Sequence, residues 1–486
     1  PLVRRNGQLE PATWDEALDL MAARLEGYRG DSFALLASPN STNEELYLAQ
    51  KFARVVMNTN NVDQTSNIQP ELTVALERSL GYAAATNPIW ELEQAGAILV
   101  FNSNLTEEQN VVGVPIKRAT KKGAKLVVID PREVELTRYA DLWLRPVPGT
   151  ELLLLGGILK SILEQELERT EWIEENCEDP ATLHYALQAV EIDEVVQATN
   201  VSNDAIAEAA RLFGGPANGA VVYSLDNIPQ ELQRDCVLAL TDLVLLTGNL
   251  GKSGAGIYPM RPGTNEQGAW DVGCVLNRLP GGRPWTDSSI RQSMETAWQC
   301  TLPTQRGLEV AAALLAAREK RVKAMLIIGD SANFTNGRLG DALSALPELE
   351  FLVVLDTFLS PPAQLADVVL PRLTFAEKDG TYTNLERRIQ RLKPAIELKN
   401  SQARPESWLI CQLAQRMNTP GFEYNSSSEI MDEIARLSPI YAGVSYQRLE
   451  KEAVTVFRSR VESPKPNQLL YSEKEYRGIQ WPCPSA

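Results

Sequence analysis

Four short segments carry residue types that can hold an anion or a sugar hydroxyl: Asn102-Ser103-Asn104, Asp130-Pro131-Arg132, Gly149-Thr150-Glu151 and Gly329-Asp330-Ser331. Where such a segment follows a strand, its backbone N–H groups and the helix beyond it can face a phosphate. An acidic side chain there can accept from a ribose or guanine edge. Asp356, closing another apolar run, has the same character. These residue types also build ordinary capped turns, and any one segment alone reads as a turn.

A fifth region, 247–273 (TGNLGKSGAGIYPMRPGTNEQGAWDVG), holds seven glycines in 27 residues, a density that permits unusual backbone angles and close approach to a ligand. It is not a P-loop, since 248–253 lacks the four-residue gap before Gly-Lys-Ser. Arg261, within it, can pair with an anion or make a surface ion pair. The six cysteines, at 177, 236, 274, 300, 411 and 483, never approach C-x-x-C spacing, which argues against an iron–sulfur or zinc site on one loop.

The elements that must position these residues are apolar, β-branched runs alternating with amphipathic helical patterns, which predicts parallel sheets covered by helices and hence an α/β fold. The runs include Ala97–Phe101, Lys125–Ile129, Gly219–Tyr223, Ala324–Ile328 and 351–355. Residues Trp14–Leu25 and 44–56 read as helices, the first opened by a capping box of Thr13 and Glu16.

An internal repeat adds to this. AILVFNSN at 97–104 is a strand running into a polar turn; a second strand ends in Asp130, and eleven residues later Asp141 precedes the run 142–146. AMLIIGDS at 324–331, a strand ending in Asp356, and Asp367 eleven residues further on follow the same plan. Two similar α/β lobes are expected, each offering strand carboxyl ends to a ligand. Asp141 and Asp367 read as structural, each fixing the start of a strand.

At 486 residues the chain predicts two or three globular units, and 44% apolar residues agree. A net charge of −16, from 47 basic and 63 acidic side chains, disfavours nucleic acid or an anionic membrane surface as a partner. No run of 18 apolar residues predicts a membrane span. The cysteine pattern suggests no disulfide framework and a reducing cytoplasm. Pro1 is no initiator and predicts a processed or truncated start.

Several motifs together resemble the molybdopterin oxidoreductase family: Tyr47-x-x-Gln50-Lys51, NTNNVD at 58–63, Val128-Ile129-Asp130-Pro131-Arg132, Thr247-Gly248-Asn249-Leu250-Gly251-Lys252, ADVVLP at 366–371 and EKDGTYTNLERRIQ at 377–390. They run in family order from about residue 1 to QWPC at 480–483, and the last two point to the branch of the formate dehydrogenase alpha subunits and the large iron–sulfur subunit of complex I. The resemblance implies two Rossmann-like, doubly wound lobes, one inserted in the other: 64–262 within a lobe made of 1–63 and 263–486. It covers the middle of the family's plan, leaving the iron–sulfur N-terminal domain and the C-terminal barrel outside these residues. The tail 459–486 is expected to wrap the surface or lead into that barrel.

The family's cofactor is a bis-molybdopterin guanine dinucleotide with molybdenum or tungsten. If one binds, the resemblance puts Asn104, Asp130, Arg132, Gly149, Thr150, Glu151, Gly329, Asp330 and Asp356 beside it, and gives Arg261 the task of orienting a carboxylate substrate. A working formate dehydrogenase carries selenocysteine or cysteine, then histidine, shortly after the N-V-D run; here those positions fall at Gln69 and Pro70. An amide is a poor ligand for such a metal and proline has no proton to move. No cysteine lies between residues 1 and 176, and the single histidine, His184, sits in an acidic helical region. Where active relatives have a glycine-rich turn, this chain has Ser224-Leu225-Asp226-Asn227, which can set a carboxylate against a pyrophosphate. Pro262-Gly263 replaces the Gly-Gln after Arg261, while Asn265, Gln267, Gly268 and Asp271 match.

Two readings follow. In the first the chain is a subunit of a respiratory electron-transfer complex, like the complex I large subunit, with a pterin-type domain that holds no metal and is not catalytic by itself. In the second it is a formate dehydrogenase-like enzyme passing two electrons from formate to an iron–sulfur chain. The lost ligand, histidine and phosphate turn favour the first. Either way 4Fe-4S clusters are expected on the missing region or on partner subunits, with an NADH-oxidising partner in the first reading. The expected location is the cytoplasm, including the inner face of a membrane when assembled, with no direct membrane span.

Overall fold

In a computed structural model that describes residues 1–66, 71–81, 83–329, 334, 339, 341–450 and 481–482, the aliphatic runs form strands. Phe33–Ala37, Ala97–Phe101, Gly219–Tyr223 and Ala324–Ile328 are buried at every position, as a sheet with helices on both faces requires. The chain divides into two compact units. One comprises Pro1–Ile68, Gly263–Asn384 and Arg388–Leu470; the other comprises Gln69–Pro262, Leu385–Arg387 and Tyr471–Ala486.

The first unit is built on a seven-stranded sheet in the order Gln8–Pro11, Leu2–Arg5, Val368–Pro371, Phe351–Asp356, Ala324–Ile328, Phe33–Ala37 and Val62–Gln64. The last five strands are parallel, and the edge hairpin is antiparallel. Numbered by their order in the chain, the parallel strands stand 2-1-3-4-5, so the winding reverses between Phe33–Ala37 and Ala324–Ile328. In an open α/β sheet that reversal opens a crevice at the strand carboxyl ends.

The second unit has five strands, all parallel, in the order Gly256–Pro259, Gly219–Tyr223, Ala97–Phe101, Lys125–Ile129 and Leu142–Leu144. By chain order this is 5-4-1-2-3, with the reversal between Gly219–Tyr223 and Ala97–Phe101. The repeat read from the sequence appears as two parallel triplets, 97/125/142 and 324/351/368.

Local details follow from side chains. The Thr13–Glu16 box caps helix Trp14–Leu25, with Glu16 N–H reaching Thr13 Oγ1 at 3.2 Å and Thr13 N–H reaching Glu16 Oε2 at 2.8 Å. The stretch 44–56 is not one α-helix. It is an α-helix over Asn43–Lys51 that widens into a π-helical turn at Phe52–Val56. Arg54, fully buried in that turn, donates to the carbonyls of Gly273 (2.8 Å) and Arg278 (2.7 Å) and to Asn60 Oδ1 (3.1 Å). A widened turn of this kind commonly marks a place where a helix accommodates such a demand.

Among the described residues no helix is long and apolar enough to cross a membrane. Of the tail 459–486, only Trp481–Pro482 is described, as a short strand parallel to Cys177–Glu178.

Candidate functional site: two crevices at the strand ends

In the second unit the central strand ends at Asn102, whose backbone takes φ +48° and whose N–H donates to the Ile129 carbonyl at 2.8 Å. The Asn102 carbonyl accepts from Ser224 Oγ, tying this turn to the one after Gly219–Tyr223. Asn102 and Ser103 are 0% and 1% exposed, yet both side-chain heteroatoms of Asn102 and the Ser103 hydroxyl have no hydrogen-bond partner among the described residues. An unsatisfied buried amide or hydroxyl costs about 1–3 kcal/mol, and one that persists asks for an explanation such as a ligand. These orphans sit at the winding reversal.

Next to them Asp130 is fully buried. Its carboxylate accepts from the Arg132 N–H (2.8 Å), Nε (3.1 Å) and Nη2 (3.1 Å), and its carbonyl accepts from Trp143 Nε1 (2.8 Å). The bond to Asp130, then the charges of Asp130, Glu108 and Asp226, raise the Arg132 pKa above its ordinary value. Gly149, at φ +90°, lies beside Pro229 and donates to Glu151 Oε2 at 2.8 Å. Glu151 is buried in the first turn of helix Glu151–Glu164, with Oε1 unpartnered among the described residues. Thr150 Oγ1 closes its turn on Val147 O at 2.7 Å. Asn104 offers its carbonyl to the amides of Glu107 and Glu108, starting the short helix Leu105–Glu108.

Arg261 is buried, and its Nη2 donates to the Ala83 carbonyl at 2.7 Å while its own carbonyl accepts from Gln109 Nε2 at 3.2 Å. It thus braces the glycine-rich segment within the second unit. Gln69, Pro70 and Asp330 lie outside the described residues. His184 is on helix Pro180–Gln188 with Nε2 3.0 Å from Glu168 Oε2, apart from the strand-end residues in the sequence and on a different element.

The first unit carries a cavity of about 790 Å³ at its strand carboxyl ends, lined by Asn40, Asp356, Phe358, Arg372, Phe375, Lys378 and Tyr382 among others. Asp356 holds its turn through Thr357 N–H (2.7 Å) and Ser360 Oγ (2.8 Å). Gly329 adopts φ +67°, a left-handed backbone that strains any other residue, and a Cβ there would lie 2.2 Å from Arg372 Nη1, so a larger residue would also have to displace that guanidinium.

Sequence reasoning missed the charged group behind this cavity. Glu406 is paired with Arg372 and, at 2.7 Å, with Lys378; Lys378 also reaches Glu45 at 2.8 Å, and Ser41 Oγ donates to Glu406 at 2.6 Å. Burial alone would raise the Glu406 pKa, but the Arg372 and Lys378 charges outweigh it and bring it down to about 2. Lys378 belongs to the EKDGTYTN motif, the one signal that could have found it.

The sequence pattern of molybdopterin oxidoreductases matches residues 1–416. The chain belongs to the molybdopterin oxidoreductase family. Among its relatives, the F420-dependent formate dehydrogenase 2 subunit alpha of Methanococcus maripaludis is 35% identical over 486 residues, covering 99% of this chain and 68% of that protein. The probable oxidoreductase YjgC of Bacillus subtilis is 33% identical, covering 100% of this chain and 50% of that protein. The chain thus spans between half and about two thirds of these relatives. In structure it resembles acetylene hydratase from Pelobacter acetylenicus, with a TM-score of 0.70 at 20% identity over 99% of this chain and 70% of that one, a likeness of fold.

Membership of the molybdopterin oxidoreductase family implies a molybdopterin cofactor with molybdenum or tungsten. The residues present fit the nucleotide ends of such a group. The second unit has buried side-chain donors and acceptors at Asn102 and Ser103 that are unpartnered among the described residues; the first has a cavity lined by Asn40, Asp356 and Arg372, against which Gly329 packs closely.

Proposed function

We propose that this chain is the cofactor-holding body of a formate dehydrogenase-like oxidoreductase, in which each unit's crevice offers a nucleotide site. What carries the reading is the side chains of Asn102 and Ser103, unpartnered among the described residues, at a winding reversal of the sheet, where nucleotides bind in doubly wound folds. The relatives named as formate dehydrogenase alpha subunits support this alternative over a complex I role.

When bound, the molybdopterin supplies a metal centre that takes the two electrons released as formate becomes carbon dioxide and a proton. The protein's part is to bind and orient. Asn102 and Ser103 offer hydrogen bonds to the nucleotide in the second unit, and Asn40 and Asp356 do so in the first. Arg261 is the residue for the formate carboxylate, through a bidentate contact of its guanidinium. With no cysteine before residue 177, no thiolate from residues 1–176 joins the metal. Partner subunits carry the iron–sulfur centres that remove the electrons.

The test is formate-driven reduction of a viologen dye by the anaerobically purified protein, with ¹³C-formate followed to ¹³CO₂. Matched amounts of reduced dye and labelled carbon dioxide are expected. Dye reduction without labelled carbon dioxide, or neither from protein that carries pterin, would remove formate as the substrate.

A further inference from the structure

We propose that Arg132 latches the second unit's crevice shut, and that it must leave Asn227 and turn to the incoming phosphate before a nucleotide can seat there. The proposal rests on the reading of that crevice as a nucleotide site and adds how its access is controlled.

The sheet order supplies the geometry. Arg132 follows strand Lys125–Ile129, Asn227 follows strand Gly219–Tyr223, and strand Ala97–Phe101 lies between them. A contact from Arg132 to Asn227 therefore crosses the carboxyl end of the central strand, where the side chains of Asn102 and Ser103 are buried and unpartnered among the described residues. With its amide oxygen turned to the arginine, Asn227 places that oxygen 3.1 Å from Nη2 and 3.3 Å from both Nε and Nη1. Near-equal distances to all three nitrogens put the oxygen over the flat face of the guanidinium. The edge is occupied by Asp130, through Nε and Nη2. One face and the Nε–Nη2 edge are thus committed within the chain, and the Nη1 side is what a phosphate would have to reach.

Charge works the same way. Asp130, Glu108 and Asp226 all act on this one guanidinium, so a pyrophosphate competes with three carboxylates for it. Turning Nη1 toward the phosphate brings the positive charge nearer to it. Its side chain is 41% exposed, so the Nη1 side can swing off Asn227 while Nε and Nη2 keep the buried Asp130. A glycine-rich turn at 224–227, which the family resemblance implies for active relatives, would provide neither the Asn227 amide nor the Asp226 carboxylate. The first unit has a cavity of about 790 Å³ at its strand ends, with no such contact across it among the described residues. The two crevices therefore fill in order, the first unit's before the second's.

Equilibrium dialysis of the full chain with GDP, a probe carrying the guanine and pyrophosphate of the cofactor, tests this. Asp356→Ala identifies which binding event belongs to the first unit. The wild type is expected to bind one GDP tightly and a second at least about tenfold more weakly. Asn227→Gly and, independently, Asp226→Asn are expected to tighten the second event about tenfold, and Arg132→Gln to weaken it, with thermal melting confirming that each variant is folded. Equal binding at both crevices in the wild type, or a second event unchanged in both Asn227→Gly and Asp226→Asn, would overturn the latch and leave the nucleotide reading standing. Absence of any second event in every variant would overturn both.

Discussion

The Asp367 carboxylate accepts the backbone N–H of Leu352 at 2.8 Å, while the Asp367 N–H donates to the Leu352 carbonyl at 2.8 Å. In the other unit Asp141 treats Leu126 identically, at 2.9 Å in both directions. In each case an aspartate just before a short third strand grips the second residue of its neighbour and sets the register. The same device, fifteen residues apart in both copies, is physical evidence that the two sheets share one plan.

Asp367→Ala leaves the Leu352 amide without its side-chain acceptor. A loss of about 1–3 kcal/mol of stability is expected in chemical denaturation. Asp141→Ala should cost less, because that carboxylate is 31% exposed and water can replace it.

Glu44 gives a pH signature. Burial pushes its pKa up to about 7, despite bonds from the Thr381 N–H and hydroxyl and from Tyr446 Oη, each 2.9 Å. A folded pKa above the unfolded value means the native state holds the proton more tightly. The stability it contributes is full below about pH 4.5 and is lost as pH rises through about 7. Glu44→Gln, an uncharged replacement whose amide the Thr381 and Tyr446 hydroxyls can accept, should flatten that fall. Denaturation from pH 5 to 8 should show the wild type losing up to about 3 kcal/mol relative to the variant.

The Glu406 carboxylate is the hub of a buried group that includes two cations. Glu406→Gln should cost about 3–5 kcal/mol, since Lys378 and Arg372 then share too little negative charge. Its pKa is lowered, so the pair's stabilisation is complete above about pH 4.5 and fades as pH falls toward 2. Thermal melts at pH 7 and pH 3 should therefore converge between wild type and variant at the lower pH.

Arg261→Lys keeps the charge but removes the planar fork. If the guanidinium receives formate, KM for formate should rise at least about tenfold with pterin content unchanged. A variant that loses pterin as well would assign Arg261 to bracing the glycine-rich segment on Ala83.

Much of the architecture was legible because parallel strands covered on both faces must be apolar throughout, and AILVF, KLVVI, GAVVY and AMLII are. The aspartates at 141 and 367 were legible by their equal spacing. The Glu45–Lys378–Glu406 group was not, because Glu45 is more than 300 residues from the other two and only the fold makes them neighbours. Nor was the π-turn at Phe52–Val56, which local pattern cannot distinguish from a continuing helix. At the candidate site the sequence set Asp226 against a phosphate. That Arg132 already occupies the space between Asp130 and Asn227 needed the sheet order.

Metal and pterin content of the purified full-length protein, from a host that makes the cofactor, tests the central claim most directly. Elemental analysis together with fluorescence of the oxidised pterin should find molybdenum or tungsten near one per chain and about two pterins, one for each crevice. Protein that folds and assembles yet carries neither would contradict the account, and would return the chain to a scaffold role in an electron-transfer complex.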